Sequence, residues 1–159
     1  MIEKIGSIFE SGCNCICIPT NGMVKKDGCL VMGKGLAKEA ADRYPTLPQI
    51  FGRLTFKYGI GTYIISINGI GIACVPTKLH FKDPSSLDLV INSSKKLVEL
   101  IDRTHWKKIG VPRLGCGLGG LTYSIVKPYL EKIFEIENEK QVLFYFLKYL
   151  SISLPILVA

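Results

Sequence analysis

Two glycine-rich stretches carry the clearest chemical suggestion in the sequence. The first, VMGKGLAKEAADRYP over residues 31–45, places Gly33 and Gly35 around Lys34 just where an alanine-rich helix begins. The second, PRLGCGLGGLTY over residues 112–123, places Gly115, Gly117, Gly119 and Gly120 between a strand and a helix. A helix N-terminus offers backbone N–H groups that lack intrahelical partners, and the helix dipole favours negative charge there, so phosphate is held well. Glycine adds close backbone approach. A lone loop of this kind is often only a structural turn, whereas two at one sheet edge suggest a diphosphate gripped from both sides.

Two familiar phosphate patterns are approached and missed. GCLVMGK, Gly28 to Lys34, satisfies G-x-x-x-x-G-K, yet Gly35 stands where a magnesium-ligating Ser or Thr is required and the loop interior is apolar. GCGLGG, Gly115 to Gly120, satisfies G-x-G-x-x-G, but a dinucleotide fold carries that fingerprint after its first strand, and here only one strand follows. The six cysteines have no CxxC spacing, and both histidines are distant in sequence, so no zinc or other metal set is read. Cys13, Cys15 and Cys17 alternate along an apparent strand and read as buried, reduced thiols on one face.

The elements that must position these loops follow from hydrophobic period. KIGSIF and NCICIP read as strands, GLAKEAADRY as a helix with Leu36, Ala40, Ala41 and Tyr44 on one face, and TLPQIFGRLTFKYG as a second helical stretch. TYIISI and IACVPT read as a strand pair around NGIG. LDLVINSSKKLVELIDR has helical spacing from a start at Pro84 and Ser85. KKIGVPRL reads as a strand, SIVKPYLEKIFEI as a helix despite Pro128, and QVLFYFL as a last strand. Strands alternating with helices imply a three-layer α/β/α domain with a mostly buried, mostly parallel sheet of about six strands, whose ligands sit beyond the carboxyl ends of the strands.

Bulk properties set the remaining bounds. At 159 residues the chain is expected to form one domain, with a core over residues 5–147 and an apolar tail over 148–159. No apolar run approaches the roughly 20 residues that span a bilayer, and the start MIEKIGSIFESG lacks the apolar centre of a signal peptide. A cytoplasmic monomer without membrane attachment is therefore expected. A formal charge of +7 favours an anionic partner, a nucleotide or a nucleic acid, although the lysines are scattered.

In order and spacing, IPTNGMVKKDGCLVMGKGLA, VPTKLHFKDPSSLD and VPRLGCGLGGLTYSIVKPYL resemble the macrodomain family over residues 5 to about 147. Within it they are most similar to the ADP-ribosyl glycohydrolase branch, which includes antitoxins that remove ADP-ribose from DNA bases. The resemblance implies an ADP-ribose cleft over a mixed sheet flanked by helices, and no cofactor. It aligns Asn21 with an asparagine facing the distal ribose, whose hydroxyls want an amide donor and acceptor together. The residue reading alone also allows Asn21 a simple Asx turn before Gly22. Gly33, Gly35 and Leu36 align with the loop around the distal ribose and one phosphate, and Thr20 and Met32 are expected beside them as ligand-binding residues. Pro76 and Thr77 precede the reactive segment. Gly115, Cys116, Gly117 and Leu118 align with the opposite diphosphate loop, with Arg113 and Gly119 expected as further ligand-binding residues and Cys116 read as a packing residue.

In PTKLH, Lys78 aligns with the branch's catalytic lysine, and His80 would share its side of an extended chain. The resemblance thus implies Lys78, His80 and Asn21 as the catalytic set. A lysine can attack or stabilise the glycosidic C1″, and a histidine can shuttle the proton. Two departures stand out. Gly119 occupies the place of an aspartate found in hydrolases of acidic side chains, as it does in the DNA-directed relatives. Ser7 stands where the family usually has the aspartate that accepts from adenine. The expected function is ADP-ribose binding with hydrolysis of an ADP-ribosyl linkage on nucleic acid or protein. A non-catalytic binding module, an ADP-ribose 1″-phosphate phosphatase, and a nucleic-acid-binding protein with an idle cleft are the alternatives.

Overall fold

The computed structural model describes residues 2–135 and 140–146; the predicted tail, 148–159, lies outside them. The strands are β1 (Ile2–Ile5), β2 (Cys15–Thr20), β3 (Tyr63–Ile67), β4 (Ile70–Pro76), β5 (Lys108–Pro112) and β6 (Gln141–Phe146). The helices are α1 (Gly35–Arg43), α2 (Leu47–Tyr58), α3 (Leu87–Asp102) and α4 (Tyr123–Ile133). The strands form one sheet in the order β1-β6-β5-β2-β4-β3. Only β3 runs antiparallel, as the partner of β4 in a hairpin turned by Asn68 and Gly69, both at positive φ.

Side-chain alternation explains why the sheet is covered on both faces. Cys15, Cys17, Ala73, Val75, Ile109, Val111 and Phe144 pack with Val90, Leu97 and Ile101 of α3 and Val126 and Leu130 of α4. Their neighbours Ile16, Ile18, Ile72, Cys74, Leu143 and Tyr145 pack with Leu36 and Ala40 of α1 and Leu47 and Phe51 of α2. The three layers expected from the sequence are present. Among the described residues no helix is long and apolar enough to cross a membrane.

Four local expectations change. KIGSIF is not one strand: Gly6 takes φ +137 and ends β1, and Ile8–Glu10 form a 3₁₀ turn that buries Ile8 on the sheet. Cys13 precedes β2 and packs with the α1/α2 layer, so it does not share a face with Cys15 and Cys17. Helix α3 is capped by Ser86, whose hydroxyl accepts from Leu89 N–H at 3.3 Å, and not by the preceding Pro84–Ser85 pair. Helix α4 starts at Tyr123, one residue before the predicted SIVKPYLEKIFEI, and keeps Pro128 in its interior.

Candidate functional site

The parallel strands β2, β4 and β5 end on one edge of the sheet, at Thr20, Pro76 and Pro112; Asn21, Thr77, Lys78, His80 and the loop over 113–119 follow those ends, while Met32, Gly33, Gly35 and Leu36 stand at the start of α1. Thr20 and Thr77 join the first two ends. Thr77 N–H donates to the Thr20 carbonyl at 2.9 Å, Thr20 Oγ1 lies 3.2 Å from Cys74 Sγ, and Ser85 Oγ donates to Thr77 Oγ1 at 3.1 Å. Both threonines are buried with hydroxyls turned to their own neighbours, so they brace the floor of the cleft. The Pro76 carbonyl accepts from Ser93 Oγ of α3 at 2.7 Å.

Asn21 sits one residue past β2. Its Nδ2 donates to the Val31 carbonyl at 2.9 Å, and its Oδ1 accepts from Met23 N–H at 2.9 Å. The Asx turn that the residues allowed is therefore present, and it ties the end of β2 to the chain entering the first glycine loop. An amide has two donor hydrogens and two acceptor lone pairs, so each end retains one for a ligand. Gly22 N–H donates to the Leu79 carbonyl at 2.8 Å, and a Cβ on Gly22 would lie 2.9 Å from that oxygen and 2.3 Å from Ile60 Cδ1. Glycine is required there for close approach, and the contact fastens the Lys78 segment beside Asn21.

Lys78 is half-buried in that segment, but the chain beyond Pro76 is not extended. The backbone bends at Thr77, Leu79 and His80, which removes the alternation argument for putting Lys78 and His80 on one side. His80 belongs to its own turn: its carbonyl accepts from Asp83 N–H at 3.1 Å and its Nδ1 accepts from Lys82 N–H at 3.1 Å. That second bond assigns the proton of neutral His80 to Nε2. Its ring stacks on Phe81 with centroids 4.5 Å apart.

Gly33 and Lys34 lead into α1, and Lys34 at the N-cap gives no side-chain cap. The first-turn N–H groups of α1 thus have no cap from that residue. Met32 and Leu36 are buried under the loop in the α1/α2 layer. Across the cleft, Leu118 Cδ1 lies 3.4 Å from where a Cβ on Gly35 would be. The two glycine loops therefore meet at a rim.

The second loop is folded on α3. Ser85 N–H donates to the Gly119 carbonyl at 2.8 Å and Leu121 N–H to that of Gly115 at 2.9 Å. Cys116 Sγ donates to the Leu114 carbonyl at 3.4 Å, and burial pushes the thiol pKa up to about 11, partly offset by Arg113. A thiol so far above neutrality is a poor nucleophile, in accord with a packing role. Arg113 keeps its backbone in the loop, while its guanidinium is turned outward to Glu3 Oε1 at 3.6 Å and over the Tyr123 ring at 4.0 Å. Sequence reasoning missed this Glu3–Arg113–Tyr123 cluster, because Glu3 comes from the opposite end of the chain. Ser7, the residue at the adenine-aspartate position, has a buried Oγ without a hydrogen-bond partner among the described residues. It lines a hollow of about 450 Å³ with Lys4, Glu10, Lys108 and Tyr145.

No protein-family profile matches the sequence. Solved structures do. The macrodomain of Thermus aquaticus DarG superposes with a TM-score of 0.81 at 25% identity, covering 91% of this chain and 97% of that one. Thermosipho africanus DarTG in complex with ADP-ribose gives a TM-score of 0.79 at 26% identity, covering 92% of this chain and 41% of that one. The sheet order, the two loops at one strand edge and these superpositions define a macrodomain. Among curated proteins, the DNA ADP-ribosyl glycohydrolase of Mycobacterium tuberculosis is 30% identical over 125 residues, 73% of this chain. This chain spans 35% of that protein's length. The chain belongs with the macrodomains related to DarG.

Proposed function

We propose that this macrodomain binds ADP-ribose and removes it from DNA. The observation that carries the reading is the pair of joints around the cleft: Gly22 N–H on the Leu79 carbonyl at 2.8 Å, and Leu118 against Gly35. The first joint puts the Asn21 amide and the Lys78 segment side by side. The second brings the two glycine-rich loops together, which supports a diphosphate held between them. Similarity to DarG macrodomains and to proteins named DNA ADP-ribosyl glycohydrolases supports the substrate.

In this reading the loops hold the diphosphate through backbone N–H groups, and the spare donor and acceptor of Asn21 take the distal ribose hydroxyls. Lys78 brings its amino group to C1″. Water then adds across the glycosidic bond: its oxygen bonds to C1″, the bond to the base breaks with its electron pair passing to the base, and a proton follows through His80 Nε2. Crowding at Gly119 also bears on the chemistry. A Cβ there would lie 2.1 Å from Ser85 Oγ and 2.5 Å from the Gly115 carbonyl, so this backbone leaves no place for an aspartate at that position. Lys78 acts without a carboxylate from the second loop.

The test is turnover. ADP-ribosylated DNA, ADP-ribosylated protein and ADP-ribose 1″-phosphate are offered to the wild type and to Lys78→Ala, with ADP-ribose affinity followed by calorimetry. Release from DNA that falls by about 10²-fold or more in the variant, with affinity kept within a few-fold, is expected for a group acting on the reacting carbon. Undiminished release would remove Lys78 from the mechanism, and calorimetric silence toward ADP-ribose would remove the cleft.

A further inference from the structure

Glu3 is a charged residue at a register position where the sheet otherwise places apolar ones. Strand β1 pairs Glu3 with Phe144, and β6 pairs Phe144 with Val111, so the three share the sheet face that α3 and α4 cover. The carboxylate meets that layer at its rim, where the Glu3 side chain is 31% exposed. Tyr123 Oη donates to its Oε1 at 2.8 Å, Arg113 Nη2 lies 3.6 Å from the same oxygen, and Lys127 Nζ lies 3.7 Å from Oε2. Burial, and then the Glu3 carboxylate, push the Tyr123 hydroxyl well above its ordinary pKa, so it stays protonated and able to donate.

These partners stand at the two ends of one loop. Arg113 follows β5 directly and opens the second glycine loop, where its carbonyl accepts from Cys116 N–H at 3.1 Å. Tyr123 is the first residue of α4 and closes the loop. The two ends meet, since the Arg113 guanidinium lies 4.0 Å from the centre of the Tyr123 ring, and compact loops with joined ends are frequently functional. The middle of the loop has its own support, Ser85 N–H donating to the Gly119 carbonyl at 2.8 Å. Partly exposed ion pairs add little to global stability. A carboxylate from β1 that touches both ends of this loop is better explained by the shape it gives the loop.

We propose that Glu3 is a positioning residue for the diphosphate: by drawing together Arg113 at the entry of the second glycine loop and Tyr123 at its exit, it sets the backbone that the loop offers to the ligand. The inference rests on the glycohydrolase reading for its ligand. It also gives Arg113 a different task from direct ligand contact, because the Arg113 side chain serves the brace while its backbone begins the loop. The diphosphate is not altered by hydrolysis, so contacts to it are equal before and in the transition state and act on KM, not on kcat.

The test measures turnover of ADP-ribosylated DNA, calorimetric affinity for ADP-ribose, and backbone hydrogen exchange. Glu3→Ala is expected to raise KM and the ADP-ribose Kd by about fivefold, the upper range for a partly exposed charge network, with kcat kept within about twofold. Tyr123→Phe, which keeps the ring under Arg113, should give a smaller effect of the same kind, and the double variant should be no worse than Glu3→Ala because both changes break one contact. Glu3→Gln, whose amide oxygen can still accept from Tyr123, should fall between wild type and Glu3→Ala. Exchange over residues 114–121 should quicken in Glu3→Ala while residues 31–36 are unchanged. A lower kcat at unchanged KM would mark a mere loss of folded protein and overturn the positioning role, as would affinity and loop exchange that all the variants retain. Failure of the wild type to bind ADP-ribose, with loop exchange still quickened in Glu3→Ala, would instead sink the glycohydrolase reading and leave Glu3 as the brace of the loop.

Discussion

A Cβ added at Gly33 would meet no atom within 4 Å, whereas one added at Gly119 would press on Ser85 and on the Gly115 backbone. The two glycine loops look alike as sequence, yet their glycines divide into crowded and open positions, and the division runs through the second loop itself. Gly115, at φ +76 and with Leu121 Cδ1 2.8 Å from its would-be Cβ, and Gly119 let the second loop fold down onto the start of α3. Gly33 and Gly117 have open space beside them and no such packing demand. Packing accounts for Gly115 and Gly119, and no neighbouring atom accounts for Gly33 and Gly117.

That difference can be broken most forcefully at Gly119. Gly119→Ala is expected to cost about 3 kcal/mol, an overpacking effect compounded by a backbone neighbour that cannot rotate away, and chemical denaturation should show the lower midpoint. By contrast Gly33→Ala should change stability by less than about 0.5 kcal/mol, as substitutions without a packing consequence do. If its backbone approaches a phosphate, the methyl should still weaken ADP-ribose binding by about tenfold, the value of one charge-assisted hydrogen bond, read by calorimetry. A stable Gly119→Ala, or an unstable Gly33→Ala, would collapse the distinction.

The anchors of the two loops sharpen it further. Asn21 ties the first loop to β2 by its bond to the Val31 carbonyl and closes its own turn by accepting from Met23 N–H, and Asn21→Ala should cost about 1–2 kcal/mol in stability as well as ribose affinity, separable by denaturation and calorimetry. Glu3 holds Arg113 at the head of the crowded loop. Its carboxyl pKa is lowered, first by the Tyr123 hydroxyl donating at 2.8 Å and then by Lys127 and Arg113. A lowered carboxylate stabilises the fold above its unfolded value and loses that contribution as pH falls through the lower folded one. Glu3→Gln should therefore flatten the acid limb of a stability–pH curve, by less than about 1 kcal/mol because the group is solvent-screened.

Much of this was legible in the residues. The order of strands and helices followed from period: Ile16 and Ile18 alternate with Cys15 and Cys17 because a buried parallel strand needs apolar side chains on both faces. The NGIG turn was readable because Asn-Gly at positive φ is local chemistry. The placement of His80 was not. Its extended-chain expectation failed where a turn closed by Asp83 and Lys82 N–H groups takes over directly after β4.

What the sequence alone determined is therefore everything that depends on near neighbours: the elements, the three layers, the two glycine-bearing loops at the strand ends, and the residues that resemble a macrodomain site. Only tertiary structure decided which glycines are crowded, where Arg113 turns, and that Ile60 and Leu79 meet at Gly22. Those facts depend on contacts between residues far apart in the chain, such as Ser85 with Gly119, Glu3 with Arg113 and Ile60 with Gly22. Local propensity carries no information about such distances; they are set by how the layers close over the sheet.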